Sequence, residues 1–210
     1  MLDIKLIREQ PDLVKASEKK RNRDAAIVDE VLKMDEQWKR ELKQAEERKH
    51  IIQLHLKDVA GRMAGQINGD GLLSLKPGDE GSPRYLAFAH ALYDARKNDT
   101  FLSNAYIMRI DNGTISYVVD DMFLAHGLDR SVARIGDLVT EDKDVIRNAT
   151  ITGPVYSPNI YTSRWGSFIS GYAPIRDSHG TVVGVLGVDE TAATVLSYDA
   201  YRFFNLVEVS

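Results

Sequence analysis

WGSFISGYAPIRDSHGTVVGVLGVDE, residues 165–190, decides how this chain folds. Gly166–Ile175 and Val182–Val188 read as two strands, because each is a short apolar run carrying β-branched or aromatic residues. The polar stretch Arg176-Asp177-Ser178-His179-Gly180-Thr181 between them reads as a hairpin turn. Pro174 fits a strand end, where no ladder donor is required, and Gly184 and Gly187 permit bending or close backbone approach. Upstream, Asn104–Ile110 and Thr114–Val119 form a second pair joined by Asp111-Asn112-Gly113, a strong hairpin signal. Val155–Tyr161 reads as a strand or an extended loop. Ser82-Pro83 makes an N-cap and N1 pair for a helix Arg84–Lys97, and a short helix is expected around Glu141–Asn148. The order implies an α+β domain: an antiparallel sheet of about five strands with helices packed on one side, a PAS-like arrangement.

The first quarter of the 210-residue chain is different in kind. Residues 1–50 hold 13 of the 27 Lys+Arg and 12 of the 31 Asp+Glu, with Trp38 as the one aromatic. After a short apolar start (Leu2, Ile4, Leu6, Ile7) and a break at Pro11, no Gly or Pro occurs from about Ala25 to Gly61. Stepping by 4,3 from Val28 gives Val28, Val31, Asp35, Trp38, Leu42, Ala45, Lys49, Ile52, Leu56, Val59 and Met63, mostly apolar: the narrow seam of a coiled coil. At about 1.5 Å per residue, residues 28–67 span roughly 60 Å. So thin a stripe needs a second helix, and the expected partner is a second copy of the chain. The segments expected are a coiled-coil helix (1–48), a stalk helix (49–68), a sensor-like domain (69–190) and a C-terminal segment (191–210), helical over Thr191–Leu206.

Two resemblances follow. MLDIKLIREQPDLVKASEKKR with VDEVLKMDEQWKRELKQAEE resembles the N-terminus of an archaeal-type seryl-tRNA synthetase over about residues 1–47. In that family the segment begins a hairpin arm that contacts tRNA; here it implies a borrowed helix joined in register to another one. LKPGDEGSPRYLAFAHAL, NAYIMR, GTISYVVDD and the opening 26-residue stretch, spread over about residues 55–190, resemble the extracytoplasmic Cache (PAS-like) sensor domain of archaeal and bacterial receptors, chiefly sensor histidine kinases. That resemblance implies a small ligand between sheet and loops, a dimer through the long helix, and membrane contact only through transmembrane segments that the sequence lacks.

Alternation along the strands proposes which side chains face such a ligand. Tyr106, Met108 and Ile110 share a face, Tyr117 lies with Val119, and Phe168, Ser170 and Tyr172 share another. The loop before them carries Tyr156, Tyr161, Arg164 and Trp165. Tyr and Trp around one Arg suit a small carboxylate or amino-acid-like ligand, since Arg binds carboxylate bidentately. Asp189 is placed to accept a ligand ammonium or to cap the next segment. Asp120 and Asp121 end a strand and hold a turn.

Composition narrows the chemistry. Zero cysteines exclude disulfides, thiolate metal sites and thiol catalysis. The net charge of −4 argues against nucleic acid as a partner of the whole chain. His50 and His55, five apart on a helix, do not share a face, and neither a metal site, a cofactor motif nor a catalytic constellation is expected. No apolar run approaches the roughly 20 residues of a membrane span. The expected function is a non-enzymatic ligand-binding sensor domain, with a ligand-free dimerisation module and a tRNA-binding arm fragment as alternatives.

Overall fold

The computed structural model describes residues 4–196. The chain divides into two compact units, Met1–Arg48 and Lys49–Ser210. The expected helix beyond Leu196 lies outside the described residues, as does Leu2.

In the first unit, helices α1 (Ile4–Glu9) and α2 (Pro11–Lys20) precede the long α3 (Ala26–Gln66). Pro11 occupies the first turn of α2, where its missing N–H costs nothing. A small cluster of Ile7, Val14 and Val28, with Val31 and Leu32 against it, covers the start of the seam. Asp35, the first of two charged seam positions, is held by Arg8 (Nε to Oδ2, 2.8 Å) and Lys39 (2.8 Å), and these cations keep its carboxyl well below the usual range. The start of the seam is thus covered from within the chain, a cover that the 4,3 spacing did not reveal. Farther along, Met34, Trp38 and Leu42 stand 70%, 57% and 47% exposed.

In the second unit, α4 (Pro83–Arg96) begins where Ser82 accepts the Tyr85 N–H at 3.2 Å. β1 (Asn104–Asp111) and β2 (Thr114–Asp120) form a hairpin whose turn residues Asn112 and Gly113 both have positive φ, 47° and 79°, matching the strand twist. The crossover contains α5 (Phe123–His126) and α6 (Lys143–Thr152). The expected single segment at 155–161 divides into β3 (Val155–Tyr156) and β4 (Tyr161–Ser163), both pairing with β5 (Gly166–Arg176). β6 (Val182–Thr191) lies between β5 and β1, and α7 (Ala192–Leu196) follows. The sheet has six strands in the order β2-β1-β6-β5-β3, with β4 also on β5, all antiparallel.

The two faces of the sheet enter separate cores. Ile107, Ile169, Ala173, Leu186 and Val188 pack with Ile52, Leu56, Val59 and Met63 of α3 and with Phe88 and Leu92 of α4. Tyr106, Met108, Tyr117, Tyr172 and Val185 pack with Ala133, Val139 and Ile146 of the crossover. Helices therefore cover both faces, not one: the crossover is long enough to fold over the second face. A register shift between Ile107 and Met108 breaks strict alternation on β2, so Val119 joins the α3 core while Tyr117 joins the opposite one.

Candidate ligand cavity

A cavity of about 220 Å³ lies at the edge of the second core. Each contributing element delivers few residues: Ser103, Asn104 and Tyr106 at β1, Tyr117 and Asp120 on β2, Met122, Ser131 and Ala133 from the crossover, Tyr161 and Ser163 on β4, Trp165 and Phe168 at β5, and Asp189 on β6. The rings form a connected wall, with Tyr106 to Tyr117 and Tyr117 to Trp165 both 5.3 Å between centroids. Such edge and tilted packing is favourable for rings and holds each in place.

Asp189 anchors the polar side. It sits on β6 opposite both Asn104 and Ser170. Its Oδ1 accepts the Tyr106 hydroxyl at 2.8 Å and the Ser170 hydroxyl at 2.5 Å. Because the Ser170 proton is committed there, Tyr161 is the donor in its 2.7 Å contact with Ser170 Oγ. Burial pushes the Asp189 carboxyl up to about 7 despite these donors, and the nearby Asp120 adds to the push. Burial also raises Asp120, to about 6, although it accepts the Met122 N–H at 3.0 Å and the Ala133 N–H at 2.8 Å. Asp120 therefore does two things: it pins the crossover with both of its oxygens and contributes to the cavity wall. Next to it Asp121, fully buried, accepts Arg96 Nε at 2.5 Å and the Ala105 N–H at 3.1 Å.

Of the ten residues singled out from the sequence, Tyr106, Tyr117, Tyr161, Trp165 and Asp189 line the cavity. Ser170 stands behind Asp189 as its donor, while Met108 is fully buried in the second core. The Tyr172 hydroxyl donates to Asp142 at 3.2 Å, and Tyr156 borders a separate groove with Lys57 and Pro158. Arg164 is absent from the lining: its guanidinium pairs with Asp137 and lies 4.2 Å from the Trp165 ring centroid, with the side chain 57% exposed. The expected carboxylate clamp is therefore engaged elsewhere, and no Lys, Arg or His occurs among the described residues that line the cavity. Trp165 Nε1 is buried and has no acceptor.

Residues 1–66 match the family model described as the seryl-tRNA synthetase N-terminal domain. The match runs farther along α3 than residue 47, where the sequence resemblance was placed. Serine–tRNA ligase of Thermotoga neapolitana is 56% identical over 39 residues, 19% of this chain and 9% of that protein. The Pyrococcus abyssi ligase is 50% identical over 52 residues, covering 24% and 11%, so the likeness is bacterial as well as archaeal. The chain thus spans about a tenth of the length of these ligases. Among solved structures, the sensory domain of the Campylobacter jejuni chemoreceptor Tlp3 with isoleucine bound superposes with TM-score 0.49 at 19% identity, covering 74% of this chain and 58% of that one. The same domain in complex with L-valine gives 0.46 at 17%, over 74% and 58%. The chain joins a synthetase-like N-terminal helical segment to an α+β domain whose solved neighbours are chemoreceptor sensory domains.

Ser103, Asn104, Asp120, Ser163, Phe168 and the crossover residues Met122, Ser131 and Ala133 complete the wall beyond those singled out. Strand alternation was a usable signal for Phe168. The crossover residues had none, since the backbone donors that Asp120 captures are separated from it by up to 13 positions. Among the described residues no cluster of His, Cys, Asp or Glu could hold a metal, and no helix is long and apolar enough to cross a membrane.

Proposed function

We propose that the second unit is the ligand-binding sensor domain of a transmembrane receptor, held on the extracytoplasmic side and performing no chemistry of its own. The observation that carries this is the cavity: an aromatic wall closed on one side by a buried carboxylate whose hydroxyl donors fix its position. Ligand pockets combine mostly apolar walls with a few placed polar groups in this way. A volume near 220 Å³ suits a small organic molecule such as an amino acid or a relative of one. The resemblance of residues 55–190 to Cache domains suggests an output of the histidine-kinase type.

Binding acts by favouring one of two arrangements, in proportion to its differential affinity for them. A route to α3 exists. The Ser170 N–H donates to Ser157 Oγ at 3.2 Å, and Gln53 Nε2 on α3 donates to the Ser157 carbonyl at 2.8 Å. All three residues are buried. The exposed seam residues Trp38 and Leu42, with Met34 beside them, supply a surface for a second copy of α3, so the arrangements that ligand selects are those of a homodimer. Thermal-shift screening against amino acids, amines and carboxylates tests the proposal. A rise in melting temperature with one of these, lost in Trp165→Ala, is expected; no rise with any member would overturn the sensor assignment and leave a dimerisation module.

A further inference from the structure

Charge is unbalanced inside the cavity. Two carboxylates, Asp189 and Asp120, face a lining without a basic side chain, and the nearby guanidinium of Arg164 is already neutralised by Asp137. Burial raises the proton affinity of both, and the charge of Asp120 adds to the rise at Asp189. Around them stand Tyr106 and Tyr117, whose ring faces attract a cation within about 6 Å, while the Trp165 ring already carries the Arg164 guanidinium. A zwitterion would bring its own carboxylate into this space, and the buried donor without an acceptor among the described residues of the wall is the neutral Trp165 N–H. A neutral acceptor on the ligand satisfies that donor without adding a third negative charge.

Resting on the sensor assignment above, we propose that the cavity selects a ligand of net positive charge: a small organic amine, its ammonium on Asp189 and a neutral oxygen acceptor on Trp165, in preference to an amino acid or a carboxylate. Desolvating an uncompensated anion beside two carboxylates is what disfavours the zwitterion.

Four molecules on one frame separate the cases by isothermal titration at pH 7.5 with the full chain: leucinamide (cation with neutral acceptor), 3-methylbutylamine (cation alone), leucine (zwitterion) and 4-methylpentanoate (anion). A parallel set on the phenylalanine frame guards against side-chain size. Leucinamide, or its phenylalanine counterpart, is expected to bind at least tenfold more tightly than the matching amino acid, with the bare amine between them and the carboxylate silent. Asp189→Asn, which keeps an acceptor for Tyr106, is expected to weaken amine binding at least tenfold while its melting temperature shows the domain folded. Equal or tighter binding of the amino acid would overturn the proposal and leave the sensor assignment standing. Binding of the carboxylate alone would do the same. Silence of all eight molecules would overturn the amine proposal, and with the wider screen also silent it would remove the sensor assignment too. Unchanged amine binding in folded Asp189→Asn would place the ammonium elsewhere and likewise overturn it.

Discussion

The two halves of α3 have similar seams and opposite fates. From Ile52 onward its apolar positions, Ile52, Leu56, Val59 and Met63, are buried against a sheet. In the first half the same spacing leaves Trp38 and Leu42 exposed beyond the small cluster at Val28. The lesson is that heptad spacing states which face of a helix is apolar and is silent about what covers it. A seam that ends against a sheet and a seam that awaits a helix are written in the same letters.

The largest effect should come from the buried charges of the second unit. Arg96→Ala leaves the Asp121 carboxylate buried without its ion pair, which costs about 3–5 kcal/mol. Denaturant unfolding followed by Trp165 fluorescence in a Trp38→Phe background reads that unit alone. Leu56→Ala, at a fully buried position of α3, should cost about 2–5 kcal/mol by the same measurement. A cost under about 1 kcal/mol would mean that the second half of α3 is not the packed half.

Acidity sharpens the contrast further. Between about pH 4 and 7 the unfolded chain ionises Asp189 while the folded one keeps it protonated, so the folded state binds more protons there. Stability of the ligand-free second unit should therefore fall as pH rises through that window, by on the order of a few kcal/mol, and Asp120 should add to the fall. Asp35, in the first unit, has a lowered value, so its contribution is lost only on acidification below about pH 4, outside this window. Differential scanning calorimetry from pH 4.5 to 7.5 should show the decline in the parent and a flatter curve in Asp189→Asn. The smallest effect belongs to Leu42→Ala, at the exposed part of the seam, which should change unfolding free energy by less than about 0.5 kcal/mol at low concentration. Analytical ultracentrifugation of this variant at high concentration then shows whether association weakens, as a second copy on this face requires.

Much of the architecture could be read because its signals are local. Asp111-Asn112-Gly113 carries its own hairpin, Ser82-Pro83 starts α4 as expected, and Gly166–Ile175 with Val182–Val188 gives the central pair. The six-strand count was missed because β3 and β4 are two and three residues long, shorter than any periodicity reveals. The cavity was legible where it rests on strands, at Tyr106, Tyr117 and Asp189. It was illegible where it depends on tertiary capture, as when Asp120 pins Ala133 or Asp137 draws Arg164 aside. A charged residue beside aromatics in sequence says what a site could recruit; a competing partner 27 positions away decides whether it does.

Gly171 of β5 has one further consequence. A methyl group built there would stand 2.2 Å from the Leu56 carbonyl oxygen of α3, so strand and helix meet backbone to backbone. Side chains absorb small displacements by changing rotamer, whereas peptide planes in contact have no such slack. No side chain stands between Gly171 and Leu56 to take up a tilt of this strand, so substituting any larger residue here would force strand and helix apart, like a gear tooth seated directly on its rack.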